Sequence, residues 1–375
     1  MDRQKSPPPC GMIFLRYAKT IHKKMKRVSL KDIAREAGVS TTTVSFVLNG
    51  KAREKRISEA VCQRVQELVC ALKYKPNQVA RGLRTGQTKT IGLMVEDISN
   101  NFFATLARII EDEADRHGYK VLYCSTENNT EKAKELLQML HHRQIDGYII
   151  TPTNGIEEEI RELLQHKRPM VLIDRYFPEI PTNYVMVDNF RGAYMATEYL
   201  IKSGYRKIGI VTLASEQVQM QDRLEGFMAA MHQYKLPVRK YDLKKIPFEQ
   251  QREKTVQEIV RFLRPATRPE AVFFTTNYLG IYGLEAIKQL GIPVPEELAV
   301  ISYDDHDLFR LHNPSITCMA QPIAEIGRQV VQVLVREMEE QNGNGNGNGN
   351  VNVNQLVLPA SLVVRSSCAL QEWVI

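Results

Sequence analysis

The sequence predicts a small all-α headpiece built on a helix-turn-helix, followed by a two-lobed α/β core in which helices cover parallel sheets. Three observations lead there. Residues 28 to 50, VSLKDIAREAGVSTTTVSFVLNG, carry two short amphipathic helices around a glycine turn. From Thr90 onward, apolar runs of strand length alternate with helical segments, the pattern of repeated β-α units. Up to residue 89, 20 Lys and Arg face 6 Asp and Glu, whereas beyond it 30 face 37, so the overall charge of +7 hides a cationic segment joined to a mildly acidic body. That asymmetry is the electrostatic footprint of a nucleic-acid reader with a separate sensing domain.

In the first helix Leu30, Ile33, Ala34 and Ala37 recur at i, i+3, i+4 and i+7 and form one apolar stripe. Gly38 permits the sharp turn, and Ser40 suits the N-cap of a second helix whose buried side is Val44, Val47 and Leu48. The opposite arc carries Thr42, Ser45, Phe46 and Asn49, with Thr41 at the exposed N-terminal end. In a helix-turn-helix the second helix lies in the major groove, where such side chains meet base edges. Phe46 on that open arc has no folding rationale, and contact with a thymine methyl would supply one. An ordinary helical bundle with Phe46 covered by another element is the competing reading. Ser58 to Leu72 reads as a third helix, with Val61, Val65, Leu68, Val69 and Leu72 on the face that covers the first two.

After this headpiece (25–75) the stretch 76–89 reads as a hinge: Pro76 ends the preceding structure and Asn77 can cap a helix of about two turns before Gly86. So short a helix is marginal by itself and is expected to order on DNA and against a second copy. Residues 1–24 combine GMIFL with Arg16, Lys19, Lys23 and Lys24, which is not a signal peptide; they read as an over-called start before Met25, or as a basic arm.

The strands expected in the core are 90–95, 120–124, 147–151, 170–173, 184–187, 207–212, 271–275 and 298–303. Helices are expected at 103–117, 131–143, 156–166, 190–203, 222–234, 250–263 and 278–290. This exceeds one doubly wound unit, so two lobes are expected, lobe 1 at about 90–187 and 319–341 and lobe 2 at about 188–318 and 351–371, with a ligand between them at the strand carboxyl ends. Helix 323–340 is amphipathic, with Glu337 assigned to its wet side. The repeat QNGNGNGNGN reads as a flexible loop and LVLPASLVV as a closing strand.

Six scattered cysteines without a CxxC argue against a zinc ribbon or thiol redox motif and suit a reduced cytosolic protein, and no apolar run reaches membrane-spanning length. No cofactor or metal is expected.

Several long motifs, SLKDIAREAGVSTTTVSFVLNG, YKPNQVARGLRTG followed by TIGLMVEDISNNFF, VDNFRGAYMATEYLIKSGYRKIGIV, DRLEGF and VISYDDHDLF, occur in the order in which the LacI/GalR family of bacterial transcriptional repressors carries them. The chain resembles that family over roughly residues 26 to 370. The resemblance implies a periplasmic-binding-protein-like core, a homodimer on a pseudo-palindromic operator, and a sugar-like small-molecule effector in the cleft. It implies that Thr41 and Thr42 read bases, that Ser40, Thr43 and Ser45 touch phosphates, and that Asn77, Ala80 and Arg81 approach the backbone or minor groove. Leu83 matches the wedge inserted at the central base step, where apolar side chains kink DNA. Phe46 departs from the Arg common at its position, so no operator sequence transfers. For the effector, Phe102 and Phe103 match an aromatic wall, and Arg223, Asn277 and Asp304 match polar contacts; a planar Arg fork and a carboxylate suit vicinal hydroxyls or an anionic group.

Two other classes compete. A solute-binding protein of a transport system shares the two-lobed body but needs a signal peptide and no headpiece. An enzyme is disfavoured because no nucleophile-base motif, phosphate loop or ligand cluster stands out, and His141 and His142 diverge by 100° around their helix.

Overall fold

The computed structural model describes residues 28–74, 87–248, 250–266, 268–342 and 353–368. The chain forms two compact units that divide between Gly86 and Gln87.

The first unit is a three-helix headpiece of α1 (Leu30–Ala37), α2 (Thr41–Leu48) and α3 (Glu59–Ala71). Ser29 and Asp32 close a reciprocal capping box at the start of α1, with Ser29 N donating to the Asp32 carboxylate at 2.9 Å. Gly38 ends the helix in the left-handed region at φ +65°, where its N–H reaches the Ala34 and Arg35 carbonyls. Ile33, Ala34, Ala37, Val44, Val47 and Val65 meet in the headpiece core, with Leu30, Leu48, Val61 and Leu68 packed around them. The stripes expected from spacing are therefore the faces that pack.

The second unit holds two six-stranded sheets of the same winding. The first runs in the order β2 (Lys120–Ser125), β1 (Thr90–Val95), β3 (Gly147–Ile150), β4 (Met170–Ile173), β5 (Asn183–Val187) and β11 (Gln355–Leu358), parallel throughout. The second runs β7 (Leu243–Ile246), β6 (Ile208–Leu213), β8 (Ala271–Phe274), β9 (Ala299–Tyr303), β10 (Thr317–Ala320) and β12 (Ser361–Val363), with β12 antiparallel at the edge. In lobe 1 the covering helices are α4 (Asn101–Arg116), α5 (Thr130–His142), α6 (Glu157–Gln165) and α12 (Ile323–Asn342). Lobe 2 is covered by α7 (Asn189–Lys202), α8 (Val218–Gln233), α9 (Arg252–Leu263) and α10 (Asn277–Leu290), and α11 (Asp307–Leu311) follows β9. Central strands are buried on both faces, which is why β3, β4 and β8 read as unbroken apolar runs.

DRLEGF owes its glycine to packing rather than to a turn. A Cβ on Gly226 of α8 would lie 2.2 Å from the Phe190 carbonyl oxygen, so the close crossing of α7 and α8 needs a residue without one.

Four expectations are corrected. LVLPASLVV is two strands: β11 pairs with β5 in lobe 1, and after Pro359 β12 pairs with β10 in lobe 2, so 351–371 is not a lobe 2 segment as a whole. The chain thus crosses between lobes after β5, after β10 and between β11 and β12. Residues 319 and 320 belong to lobe 2, as part of β10. Glu337 is not on a wet face: its carboxylate turns under the sheet, accepting Met170 N at 3.2 Å and Asn183 Nδ2 at 2.9 Å at the starts of β4 and β5. Helix α8 begins at Val218, one turn before the position expected from the apolar pattern, because its first turn carries polar Gln219 and Gln221. His141 and His142 end α5 as exposed residues. The hinge residues 76–86 and the repeat from 343 to 352 lie outside the described residues.

Candidate functional site

The exposed face of α2 is organised before any partner arrives. Ser40 caps the helix by accepting Thr43 N at 3.0 Å and pairs its hydroxyl with that of Thr43 at 2.9 Å. Asn49 folds back onto Ser45, donating to its carbonyl at 2.6 Å and to its hydroxyl at 3.2 Å. Thr42 and Asn49 are exposed, while Thr41, Thr43 and Ser45 are half-buried. Phe46 corrects the expectation of a freely open ring. It is half-buried and stands outside the packed headpiece core, but the loop after α2 returns over it: Lys51 N bonds the Phe46 carbonyl at 2.9 Å, and Lys55 Nζ sits 5.5 Å from the ring centroid. Asn77, Ala80, Arg81 and Leu83 lie outside the described residues.

In the core, doubly wound sheets bring strand carboxyl ends to a common crevice where the strand order reverses. The expected effector residues gather there. Phe102 and Phe103 start α4 after β1, both buried and edge-to-face at 5.0 Å between centroids. Arg223 comes from α8 and is 3% exposed. Its Nε donates to Asn189 Oδ1 at 2.8 Å, its Nη1 to the Thr275 carbonyl at 2.6 Å, and its guanidinium stacks on Tyr303 at 3.7 Å from the ring centroid. Asn277 follows β8 and crosses the cleft, donating from Nδ2 to Asn100 Oδ1 of lobe 1 at 2.9 Å. Asp304 follows β9 at φ +64° and accepts Gln321 Nε2 at 2.6 Å and Asn277 N at 3.4 Å. It does not cap the following helix, a role taken by His306.

The same crevice contains residues that motif reasoning did not name. Asp174 and Arg175 follow β4, and Glu96 follows β1. Arg175 is 2% exposed and donates from Nη2 to Glu96 Oε2 at 2.5 Å, while its Nη1 and Nε have no hydrogen-bond partner among the described residues. Burial pushes the Asp174 carboxyl up to about 6, although Arg175 and Arg223 pull the other way. Gln219 donates to Asp174 across the cleft at 3.3 Å, and Gln217 donates to Asn128 at 2.9 Å. Tyr278 contributes a buried hydroxyl without a hydrogen-bond partner among the described residues. A signal was available for most of them: Glu96, Asp174, Arg175 and Tyr278 lie within a few positions of the carboxyl end of an expected strand, where such folds place ligand contacts.

The space between Phe102, Phe103, Arg223, Asn277, Asp304 and Gln321 is about 40 Å³. A larger chamber of about 400 Å³ adjoins it, sharing Glu96, Asn100, Asn277 and Tyr278 and walled further by Phe248 and Tyr282. The smaller space carries the convergence of buried polar groups, which in a ligand site fix orientation and give specificity. Among the described residues no helix is long and apolar enough to cross a membrane, and no cluster of His, Cys, Asp and Glu could hold a metal ion.

Comparison with known proteins agrees with this architecture. Residues 29–77 match the family described as bacterial regulatory proteins, lacI family, and residues 197–368 match the periplasmic binding protein-like domain. The chain is 32% identical to the ribose operon repressor of Haemophilus influenzae over 314 residues, covering 84% of this chain and 93% of that protein. It is 33% identical to the HTH-type transcriptional repressor PurR of Photobacterium profundum, again over 84% of this chain and 93% of that protein. A LacI family transcriptional regulator from Enterococcus faecium, solved with bound ribose, is 27% identical with a TM-score of 0.65, covering 76% of this chain and 100% of that one. With a helix-turn-helix headpiece and a two-lobed core on one polypeptide, and relatives of this identity matched over nearly their whole length, the chain belongs to the LacI family of bacterial regulatory proteins.

Proposed function

We propose that this protein is a transcriptional repressor that binds a pseudo-palindromic operator as a homodimer in the cytoplasm and is switched by a small neutral sugar of pentose size. The observation that carries the effector reading is the composition of the crevice. Arg223, Asn277, Asp304, Asp174, Asn100 and Gln321 converge from both lobes beside the Phe102 and Phe103 rings, a mixture that suits hydroxyls on one side and an apolar ring face on the other. Charge argues against an anionic ligand. Arg223, the guanidinium that lines this space, already serves Asn189 and the Thr275 carbonyl, whereas three carboxylates, Glu96, Asp174 and Asp304, face it. The ribose bound by the Enterococcus faecium relative and the name of the Haemophilus influenzae relative support a pentose.

A space of about 40 Å³ holds roughly three water-sized spheres, so a sugar ring enters only as the lobes part. The Asn100–Asn277 and Gln219–Asp174 bonds then exchange for bonds to ligand. A ligand that favours one lobe arrangement shifts the protein toward it, and DNA affinity follows by linkage.

On the DNA side, Thr41 and Thr42 read base edges in this proposal, Phe46 and Asn49 extend the reading face, and Ser40, Thr43 and Ser45 approach phosphates. Support for Leu83 as wedge and for Asn77, Ala80 and Arg81 beside it is sequence resemblance alone. A transport-type solute receptor has no use for the cationic headpiece.

Titration calorimetry with D-ribose, ribose 5-phosphate and adenine tests the ligand class. Ribose is expected to bind at least tenfold more tightly than its phosphate; tighter binding of the phosphate or of adenine overturns the neutral-sugar reading. Gel shifts with and without ribose then separate induction from corepression.

A further inference from the structure

The segment that enters the core from the hinge is pinned by one side chain. Asp146, in the turn before β3, accepts Thr88 N at 2.8 Å and Thr88 Oγ1 at 3.2 Å on Oδ1, and Lys89 N at 2.7 Å on Oδ2. Lys89 takes φ +53°, a left-handed turn uncommon for a residue with a side chain, and its ammonium lies over the Tyr119 ring at 4.3 Å and reaches the Tyr119 hydroxyl at 3.2 Å. The backbone completes the clamp, with Asp146 N bonded to the Thr90 carbonyl and Lys120 N to the Lys89 carbonyl, each at 2.9 Å. Three consecutive residues, Thr88 to Thr90, are thus tied to the turn before β3.

The clamp is also connected to the effector cleft by a rigid element. Gln321, bonded to Asp304 in the crevice, is followed two residues later by α12, whose 20 residues extend about 30 Å along the lobe. Its far half presses on the residue next to Asp146: a Cβ on Gly147 would meet Leu334 Cδ1 at 3.0 Å and Met338 Sδ at 3.1 Å. In the same stretch Glu337 bonds the starts of β4 and β5. A movement of α12 against the sheet therefore reaches the Asp146–Gly147 corner through direct contacts, and close-packed contacts transmit displacement rather than absorb it.

We propose that Asp146 is the positioning residue that couples the core to the DNA-binding part, by setting where the hinge leaves lobe 1. The inference rests on the reading of the chain as a DNA-binding regulator and is independent of which sugar binds. Asp146→Asn tests it with little change in volume. The amide oxygen still accepts from Thr88, but the NH2 group opposes Lys89 N–H, donor against donor.

The probe is the duplex that the wild-type full-length protein enriches from a randomised pool, compared with a random duplex of equal length. Asp146→Asn is expected to lower affinity for the enriched duplex at least tenfold, to leave affinity for the random duplex and for D-ribose within twofold, and to speed amide exchange of Lys89 at least tenfold. Thr88→Val, which removes the hydroxyl bond and keeps every backbone contact, is expected to lower enriched-duplex affinity about threefold, and it keeps the test open if Asp146→Asn fails to fold. Equal loss on both duplexes overturns the proposal. So does undiminished affinity for the enriched duplex, whether or not Lys89 exchange accelerates. The DNA comparison contains no sugar, so a failed ribose assignment leaves it readable.

Discussion

Arg223→Met removes a charge that the core has built itself around. Arg223 joins three elements of lobe 2: its own helix α8, Asn189 at the start of α7, and the Thr275 carbonyl after β8. Methionine nearly fills the same volume but leaves that carbonyl and the Asn189 amide oxygen buried without a donor. Each hydrogen bond to a charged group contributes about 1.5–3 kcal/mol. The stack on Tyr303 adds roughly 1 kcal/mol, and the apolar replacement recovers a part of the loss, so a net cost of about 4 kcal/mol is expected. At about 2–4 °C per kcal/mol for a domain of this size, the core transition should fall by roughly 8–16 °C in scanning calorimetry. Arg223→Lys, which can reach one of the two acceptors, should fall by about half as much. A drop smaller than about 3 °C for Arg223→Met would refute the assignment of Arg223 as a framework residue and leave it a ligand contact alone. If the drop is as large as expected, loss of ribose binding in this variant has two causes at once, which makes Asp304 the cleaner probe of the cleft.

Asp304→Asn keeps the size of the side chain and removes its charge; ribose affinity should fall about thirtyfold, the equivalent of roughly 2 kcal/mol for a hydrogen bond to a charged group, with the melting temperature within about 3 °C of wild type. Asp174 gives a pH signature. Burial pushes its carboxyl up to about 6 from the ordinary 3.8, so the folded state holds the proton longer and stability is lost as pH rises from about 4 to 6. Relative to Asp174→Asn, the wild type should lose about 2 kcal/mol between pH 4 and pH 7 in urea titrations, and parallel curves would show that burial does not raise this carboxyl. Phe46→Ala should weaken binding to the enriched duplex more than to random DNA, since Lys55 shields the ring without removing it from the surface; equal loss on both would make Phe46 a packing residue. Leu83→Ala should likewise spare random DNA if the side chain acts as a wedge, because a kink is formed in the specific complex, and gel shifts on the two duplexes read this directly.

Much of this molecule is local information, and that part was legible. The headpiece stripes Leu30, Ile33, Ala34, Ala37 and Val44, Val47 follow from a period of 3.6, and Ser29, Gly38 and Ser40 act at helix ends within three or four residues of their partners. Buried parallel strands announce themselves as apolar runs, so eight were placed to within a residue or two. The strands that escaped, β7 with LKKI and β10 with TCMA, are short, and β7 is an edge strand whose adjacent lysines, Lys244 and Lys245, hide its apolar content. Phe102, Phe103, Arg223, Asn277 and Asp304 came from motif resemblance and proved to be neighbours in space.

What tertiary structure alone decided depends on residues distant in sequence. Nothing near Pro359 says that Leu356 pairs with Val185 while Leu362 pairs with Met319, because the choice of sheet belongs to the partner strand. Glu337 has the spacing of an exposed face, yet it turns under the sheet to the Met170 and Asn183 donors, and burial pushes its carboxyl up to about 7 although those two hydrogen bonds pull it the other way. Asp174, Arg175 and Glu96 look like ordinary charged residues after strands; their meeting is fixed by parallel winding, which brings the carboxyl ends of β1 and β4 to one crevice. Sequence determined the elements and the chemistry they carry, because capping and periodicity act over a few residues. The fold decided which charges meet and which are buried, because Coulomb and desolvation energies depend on distances that the chain sets only when its sheets have closed.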